Sequence, residues 1–438
     1  MTIRKKKRAI KGDVLHFLSD PNVTNPAQSY QYFEKGLLFI EDGLVTDVGF
    51  EQDLKKKLTD EFEIVNHSGK LILPGFIDTH IHYAQTDIIA SHGKQLLEWL
   101  ETYTFPKEGQ FKDPQYVEQV SEFFLNELLR NGTTTAQVFC TVHPHSADIF
   151  FKKSHGKNMR MIAGKVMMDQ NAPEYLRDTP QQSYDESLAL IHKWHQKDRL
   201  LYAITPRFAV TSTEAQLEKA GLLMEVAPNL YMHTHLSENV NEIKLVSELF
   251  PWSKNYLDVY DHFGLVTDRS TFAHSIHLSE SEYLRMAETG ASISFCPTSN
   301  LFIGSGLFDL KKVSAQSIAV GIGTDVGGGT SFSIFQTLAE AYKVLQLNGQ
   351  NLSPLHAFYL ATLGGATSLK LDAHIGNFDT GKEADFIVIN YSATPLIERR
   401  MQFTETLDEK LFALMILGDD RLIDATYILG ELAYQQKR

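Results

Sequence analysis

The fold of this chain is indicated first by the stretch PGFIDTHIH at residues 74–82. The stretch is an apolar run that ends in two histidines one residue apart, His80 and His82. Side chains at positions i and i+2 of a β-strand point to the same face of the strand. If residues 74–82 form a strand, His80 and His82 can therefore reach one cation together.

Three later segments carry further metal-binding residue types. They are HTHLSE at 233–238, AHS at 273–275 and GTD at 323–325. Each follows an apolar or β-rich run, so we expect each at the end of a strand. Imidazole and carboxylate ligands suit zinc, with iron or another divalent metal as the alternative. A lone pair of histidines is a weak signal, but four ordered segments of this kind predict a metal centre.

Composition places the chain among ordinary soluble globular proteins. Its 438 residues allow one large domain with a smaller companion, and 43% of them are hydrophobic. The net charge of −13 argues against a nucleic-acid surface, and we interpret the basic cluster at residues 4–8 as a solvated flank of the first strand. No apolar run reaches membrane-spanning length. Two cysteines are too few for a disulfide framework and favour a reducing cytoplasm.

The pattern of apolar residues divides the chain into three segments. Residues 1–70 are β-rich, with a hairpin signal at 41–43, and residues 376–438 return to that texture. Residues 71–375 alternate strands and helices. For example, Asp113-Pro114 starts a helix that Asn131-Gly132 ends, and a strand follows from Thr133 to Phe139. This alternation predicts an α/β fold: a (β/α)8 TIM-type barrel with a small β-sandwich domain built from both chain ends.

The order of these motifs resembles the amidohydrolase superfamily over nearly the whole chain. The opening motif at residues 73–82 is similar to the family's first-strand metal motif, and IGNFDTGKEAD at 375–385 is similar to its closing signature. Four shorter stretches resemble the guanine deaminase branch: YAQ at 83–85, LLEWL at 96–100, TPRF at 205–208 and CPTSNLFIGSG at 296–306. Ser275 departs from the pattern, which has glycine after the histidine. The resemblance implies a homodimeric mononuclear metal hydrolase that converts guanine to xanthine in purine catabolism.

The resemblance also implies which residues perform the chemistry. One zinc ion per chain is expected on four ligands: His80, His82, His235 and Asp325. Glu238 would carry protons from water to the ring and then to the leaving amine. His274 would hydrogen-bond the water or the developing oxyanion, and Asp325 would also hold a proton of the water. The ordinary alternatives are a helix-cap role for Glu238, a turn-cap role for Asp325 and a core histidine at 274.

Four residues are candidates for substrate binding. An arginine fork matches the adjacent O6 and N7 acceptors of guanine, so Arg207 is expected to bind that edge. Phe208 would cover the ring, Gln85 offers a donor and an acceptor, and Trp99 would wall the pocket. The ordinary alternatives are a surface ion pair for Arg207 and core positions for the two aromatic residues.

Several other interpretations are compatible with parts of the pattern. A related enzyme would deaminate another ring, such as 8-oxoguanine, an adenosine derivative or a triazine. A two-metal cyclic-amide hydrolase would need a lysine at the end of the fourth strand, and Lys165 is expected near the start of a strand that runs from 161 to 167. A non-catalytic interaction protein would have lost ligands, and none is missing. The sequence also lacks the H-x-E and P-C-x-x-C pair of the other nucleobase deaminases. His233 shares the strand face of His235 and competes with it as a ligand, and roles for Thr298 and Asn300 stay open.

Overall fold

The structure is a computed structural model that describes residues 6–93 and 95–437. The strands in this part of the chain are β1 (Lys7–Phe17), β2 (Tyr30–Glu41), β3 (Leu44–Phe50), β4 (Phe62–Pro74), β5 (Phe76–His82), β6 (Thr133–Phe139), β7 (Arg160–Gly164), β8 (Val166–Met167), β9 (Leu201–Pro206), β10 (Tyr231–Leu236), β11 (Ser270–His274), β12 (Ser292–Phe295), β13 (Val320–Ile322), β14 (Phe386–Ile389), β15 (Ile423–Ile428) and β16 (Glu431–Gln435).

The α-helices in the same ranges are α1 (Glu51–Leu54), α2 (Leu96–Trp99), α3 (Phe105–Glu108), α4 (Pro114–Arg130), α5 (Pro144–Gly156), α6 (Pro180–Trp194), α7 (Glu214–Met224), α8 (Val240–Leu249), α9 (Tyr256–His262), α10 (Glu280–Thr289), α11 (Pro297–Phe302), α12 (Leu310–Ala315), α13 (Ile334–Leu347), α14 (Pro354–Leu360), α15 (Leu363–Ser368), α16 (Pro395–Met401) and α17 (Leu407–Leu417). A π-helical turn spans Leu100–Thr104. Short 3-10 helices lie at Pro26–Gln28, Lys55–Lys57, Tyr83–Ile88, Gly109–Lys112, Glu174–Leu176, Ala209–Thr211 and Asp420–Leu422.

The expected barrel is confirmed. Strands β5, β6, β7, β9, β10, β11, β12 and β13 lie side by side in that order, and neighbouring strands run parallel. β5 and the end of β13 close the ring, because the Asp325 amide donates to the His80 carbonyl (2.9 Å) and the His82 amide donates to the Val326 carbonyl (3.0 Å). Parallel strands bring all their carboxyl ends to one rim, which is where barrel enzymes carry their active sites.

The helix α4 shows how the sequence encodes the outer layer. Asp113 caps its start by accepting from the Gln115 amide at 2.9 Å, and Pro114 occupies the first turn. The helix ends before Asn131, and Gly132 has a φ of +79°, a left-handed conformation that glycine adopts without a steric penalty. The predicted helix, and the predicted strand from Thr133 to Phe139, are therefore confirmed.

The second sheet joins the two ends of the described chain. Its seven strands follow the order β16-β15-β14-β4-β1-β2-β3. The predicted hairpin lies at Asp42 and Gly43, whose φ angles of +50° and +83° suit a two-residue turn. The hairpins at the two edges of the sheet lie close together, since a Cβ added to Gly43 would stand 3.0 Å from the Leu429 Cβ. The sheet is therefore curled. A separate cluster of buried apolar side chains packs inside the curled sheet.

Two details of this second sheet differ from the expected segments. Within the β-rich region expected at 376–438, the run from 427 to 432 is divided by a turn at Leu429 and Gly430, where φ is +50° and +72°. The carboxyl-terminal part also contains α16 and α17. The helix α17 packs on α13 of the barrel, where the Phe412 and Tyr342 rings are 5.1 Å apart.

The described part of the basic cluster is paired with acidic residues. Arg4 and Lys5 lie outside the described residues. Lys7 Nζ is 2.9 Å from Glu61, and Arg8 Nε is 2.9 Å from Glu63. None of the helices in the described ranges has the length and apolar character needed to cross a bilayer. Cys140 and Cys296 are both buried and free.

Candidate functional site

Four side chains from two strand ends, those of β5 and β10, and from the loop after β13 converge at the barrel rim. His80 Nε2 is 3.2 Å and His82 Nε2 is 3.4 Å from Asp325 Oδ1. His82 Nε2 is also 3.1 Å from His235 Nε2. All four belong to buried or nearly buried clusters whose atoms are close enough to share one ion. The structure thus brings together the four expected ligands.

The chemistry of this donor set fits a divalent cation. The Nδ1 of His235 lies 2.7 Å from the Arg207 carbonyl oxygen, which can only accept, so this nitrogen carries the proton and Nε2 offers its lone pair. His80 Nε2 is buried and has no hydrogen-bond partner among the described residues. Burial lowers the pKa of His80, His82 and His235 well below the ordinary value. Neutral imidazoles are the form that binds a metal.

His233 occupies a different position from the ligands. Its Nε2 lies 2.8 Å from His80 Nδ1, on the side of the His80 ring that faces away from Asp325. One of these two nitrogens donates to the other, and the contact fixes the orientation of the His80 ring. His235, which the resemblance favours as the ligand, thus lies beside His82 at the shared point, and His233 lies behind His80.

Glu238 and His274 face the same point from the opposite side. His274 Nε2 is 3.5 Å from Glu238 Oε2 and 3.7 Å from Asp325 Oδ2. Burial raises the pKa of Glu238. Burial alone would lower the pKa of His274, but the carboxylates of Glu238 and Asp325 outweigh it and the pKa is raised. Such perturbed acid–base pairs in a cleft are typical of proton-transfer sites.

The loop after β10 holds Glu238 by its backbone. The Glu238 amide donates to Glu242 Oε2 at 3.0 Å, and Glu242 forms a capping box with Asn239 at the start of α8. The cap of this helix is therefore Asn239, which leaves the Glu238 side chain free to face the cavity. Ser305 Oγ donates to Glu238 Oε1 at 3.0 Å.

The His274 ring is held by Asn300, whose role the sequence left open. His274 Nδ1 lies 2.9 Å from Asn300 Oδ1, and the amide oxygen can only accept. His274 and Ser275 have φ angles of +68° and +50°. The glycine that the family pattern has at position 275 would adopt this left-handed conformation more easily than serine does. Thr298 does not line the cavity, and its hydroxyl donates to the Thr324 carbonyl at 3.2 Å.

A cavity opens above these groups. Nine of the ten expected site residues line it, and His80 lies below them. The apolar part of the wall comes from Trp99, Phe208, Leu96, Leu100 and Ile303. The polar part comes from Gln85, Arg207, Glu238, His235, His274, His82 and Asp325.

Arg207 is paired with a buried carboxylate in the wall of the cavity. It is buried, and its Nη1 donates to both carboxylate oxygens of Glu108 at 2.8 and 2.9 Å. Gln85 Nε2 donates to Glu108 Oε1 at 3.3 Å. Sequence reasoning missed Glu108 because it lies 99 residues from Arg207 and matches no motif.

The position of Lys165 was predicted wrongly. The expected strand from 161 to 167 is interrupted at Lys165, which directly follows the end of β7 and separates it from the two-residue strand β8. Its ammonium is nevertheless engaged elsewhere, in ion pairs with Asp178 and with Glu186 of α6 at 3.4 Å. A lysine held among the outer helices does not bridge two metals at the rim.

Comparison with known proteins agrees with this architecture. The profile of the amidohydrolase family matches residues 71–433. The guanine deaminase of Escherichia coli strain K12 is 51% identical over 432 residues, which cover 98% of each chain. The solved structure of the E. coli guanine deaminase has a TM-score of 0.96 and covers 98% of this chain and 100% of its own. The guanine deaminase from C. acetobutylicum, solved with guanine in its active site, has a TM-score of 0.88 at 29% identity, covering 98% and 100% of the two chains. This chain therefore belongs to the amidohydrolase family.

Proposed function

We propose that this protein is a guanine deaminase that hydrolyses guanine to xanthine and ammonia. The observation that carries the proposal is that Arg207 and Gln85 line the same cavity as Glu238, His274 and Asp325. The first two residues recognise hydrogen-bond acceptors, and the other three can move or hold protons. The full-length similarity to guanine deaminases supports the same substrate.

Recognition follows from the donors in the wall. Arg207 keeps free N–H groups after its contact with Glu108, and guanine presents adjacent O6 and N7 acceptors to such a fork. Phe208 and Trp99 would cover the faces of the ring. Adenine carries an amino group where guanine has O6, so a donor would meet a donor. Buried donors left unpaired in this way disfavour the wrong ring strongly.

We propose zinc as the native metal. A zinc ion held by His80, His82, His235 and Asp325 would act as a Lewis acid that lowers the pKa of a water molecule toward about 7. The support for zinc is the set of three neutral imidazoles with one carboxylate, since harder ions such as magnesium prefer oxygen ligands.

The remaining chemistry belongs to the side chains around the cavity. Glu238 takes a proton from the attacking water and transfers it to a ring nitrogen beside the carbon that carries the amino group. His274 donates from Nε2 to the oxygen on which negative charge develops. Asp325 accepts a hydrogen bond from the water and orients it. The hydroxyl of the adduct then gives up its remaining proton, which Glu238 passes to the amino group; the C–N bond breaks, ammonia leaves and the new carbonyl of xanthine forms.

The proposal keeps 8-oxoguanine, an adenosine derivative and a triazine as alternative substrates. It also includes the predictions about oligomeric state, location and binding partners. A homodimer is expected from the resemblance to the family. A cytoplasmic location is supported by two cysteines that are buried and free. The expected binding partner is a small-molecule purine, and we expect the protein to bind neither nucleic acid nor a membrane.

An ammonia-release screen tests the proposed substrate. It compares guanine with 8-oxoguanine, adenine, cytosine, their nucleosides and a chlorotriazine, with metal analysis on the same sample. We expect kcat/KM for guanine to exceed that for adenine by about 10⁴-fold or more, as for other sites that read a buried polar group. Preference for any other ring would contradict the proposed substrate while leaving the metal site intact.

A further inference from the structure

Glu108 is a buried acid at the end of α3 that sequence reasoning did not assign. It is fully buried, and both its oxygens accept from Arg207 Nη1. It does not line the cavity itself. We infer that Glu108 is a positioning residue that fixes Arg207 and Gln85 so that the cavity wall presents hydrogen-bond donors, an inference that rests on the proposed function.

The contacts of Gln85 allow one orientation of its amide. Nε2 lies 3.3 Å from Glu108 Oε1, and Oε1 lies 3.3 Å from the Gly327 amide nitrogen. An ionised carboxylate has no proton to donate, and a peptide N–H has no lone pair to accept with. The reversed amide would therefore lose both contacts. Glu108, on one side, and Gly327, on the other, together determine which end of Gln85 is a donor.

This orientation sets the hydrogen-bonding character of the wall. Gln85 keeps one amide hydrogen for a ligand, and its oxygen is already occupied by Gly327. Arg207 has only donors, and its guanidinium also lies over the Phe105 ring at 5.7 Å, which limits its movement. The wall therefore matches a base edge made of acceptors. Without the carboxylate, only the Gly327 amide would hold the donor end of Gln85 and the Arg207 fork would lose its anchor.

The variant Glu108→Gln tests this inference because it keeps the side-chain size and removes the charge. A glutamine can present either its oxygen or its amide to Gln85, so one of the two restraints on the Gln85 amide is lost and only the Gly327 contact remains. We expect the KM for guanine to rise by about 10- to 100-fold, with a smaller change in kcat and unchanged metal content. The Ki of 2-aminopurine, which lacks O6, should change by less than about threefold because it makes less use of the donors.

The matched control is Glu101→Gln, an exposed glutamate in the adjacent π-helical turn. It should leave both constants within about twofold of the wild type, as expected for a surface substitution. If Glu108→Gln does not fold, Glu108→Asp keeps the charge but retracts it by one methylene. That variant should shift the KM for guanine in the same direction by a smaller factor.

The contradictory results are distinct from those for the proposed function. A wild-type enzyme that does not deaminate guanine would overturn the function itself. If the wild type deaminates guanine but Glu108→Gln leaves the KM for guanine unchanged, only the positioning role of Glu108 is overturned. Equal weakening of guanine and 2-aminopurine would also overturn it, because it would show a general disturbance of the cavity rather than loss of the donors that bind O6.

Discussion

At the level of single residues, the rim of the barrel contains several strained backbone positions. Ser237, His274, Ser275 and Asp325 have φ angles of +48°, +68°, +50° and +50°. Non-glycine residues in this region cost about 1–3 kcal/mol each and persist only where the surroundings hold them. Here they direct the side chains of the strand ends toward the metal site.

Ser275 offers a direct test of this strain. It is buried, and its hydroxyl has no hydrogen-bond partner among the described residues. Ser275→Gly should raise the free energy of unfolding by about 1 kcal/mol, because relief of the left-handed conformation exceeds the entropy that glycine gains in the unfolded chain. Urea unfolding measures the change. Ser275→Ala, which keeps the Cβ, is the control, and a glycine variant less stable than the alanine variant would refute the explanation.

Glu238 carries the proton transfers in the proposed mechanism. Glu238→Gln keeps the size and the contact with Ser305 but cannot carry a proton, so turnover of guanine should fall by about 10²–10⁴-fold. Metal content and melting temperature should stay near the wild-type values. A variant with nearly full turnover would show that another group carries the proton.

The pKa of Glu238 also predicts the pH profile. Burial raises this pKa above the ordinary value of 4.5, and the mechanism needs the ionised carboxylate to accept a proton from water. The value of kcat/KM for guanine should therefore fall as the pH decreases through a midpoint above 4.5. Steady-state rates from pH about 4 to 9 locate the midpoint. A profile that stays flat down to pH 4.5 would contradict the environment described for Glu238.

A site residue could be predicted from the sequence where its motif lies within a few neighbouring residues. His80 and His82 are two residues apart in a strand, so their shared face could be inferred from periodicity. Glu238 and His235 occur in one short segment. Asn300 and Glu108 act through residues 26 and 99 positions away, and no local pattern reports such contacts. They could be found only once the barrel had brought distant strand ends together.

At the level of elements, the start of α8 positions the rim loop. The Glu242 carboxylate accepts from the amides of Glu238 and Asn239 and from the Tyr256 hydroxyl at 2.7 Å. Burial and the nearby charge of Glu238 raise the pKa of Glu242 to about 7. The Glu242 side chain therefore both completes the capping box of α8 and holds the loop that carries Glu238.

Removal of this side chain should affect both stability and turnover. Glu242→Ala leaves two buried amides without an acceptor, which costs about 2 kcal/mol of unfolding free energy. Turnover should fall as well, because Glu238 loses the contact that fixes its backbone. Glu248→Ala, at an exposed position of the same helix, should change stability by less than about 0.5 kcal/mol. Equal effects in the two variants, measured by urea unfolding, would contradict the role of the cap.

Element boundaries were predictable where the sequence contains strong local signals. The helix from Pro114 to Arg130 has a cap, a first-turn proline and a terminal glycine, and its predicted limits match the structure. The β-rich run from 317 to 322 forms a strand only from Val320 onward, and Ser317 has a left-handed φ of +57°. The break at Lys165 was not predictable from local pattern, and the ion pairs of Lys165 with Asp178 and Glu186 form only in the folded barrel.

At the level of the whole molecule, a buried ion-pair network joins the barrel to the second sheet. Arg199 Nε donates to Glu383 Oε2 at 2.9 Å, and its Nη2 also contacts Asp385. Arg160 Nε donates to the same Glu383 oxygen at 2.8 Å. Asp385 lies just before β14, and its carbonyl accepts from Gly75, where the chain passes from β4 to β5.

Loss of this network should destabilise the whole protein. Arg199→Met leaves the Asp385 carboxylate buried without its guanidinium partner, which typically costs about 3–5 kcal/mol. Arg285→Met, which removes an exposed pair with Asp261, should cost no more than about 1 kcal/mol. Urea unfolding of the two variants compares them. Similar losses would mean that the network does not join the two parts of the fold.

The central claim is that guanine deamination depends on one metal ion at the His80, His82, His235 and Asp325 cluster. The most direct measurement removes metal with a strong chelator, adds zinc back in steps and follows bound zinc and xanthine formation in the same samples. We predict that both rise together and saturate at about one zinc per chain. Full xanthine formation by a metal-free protein would contradict the account.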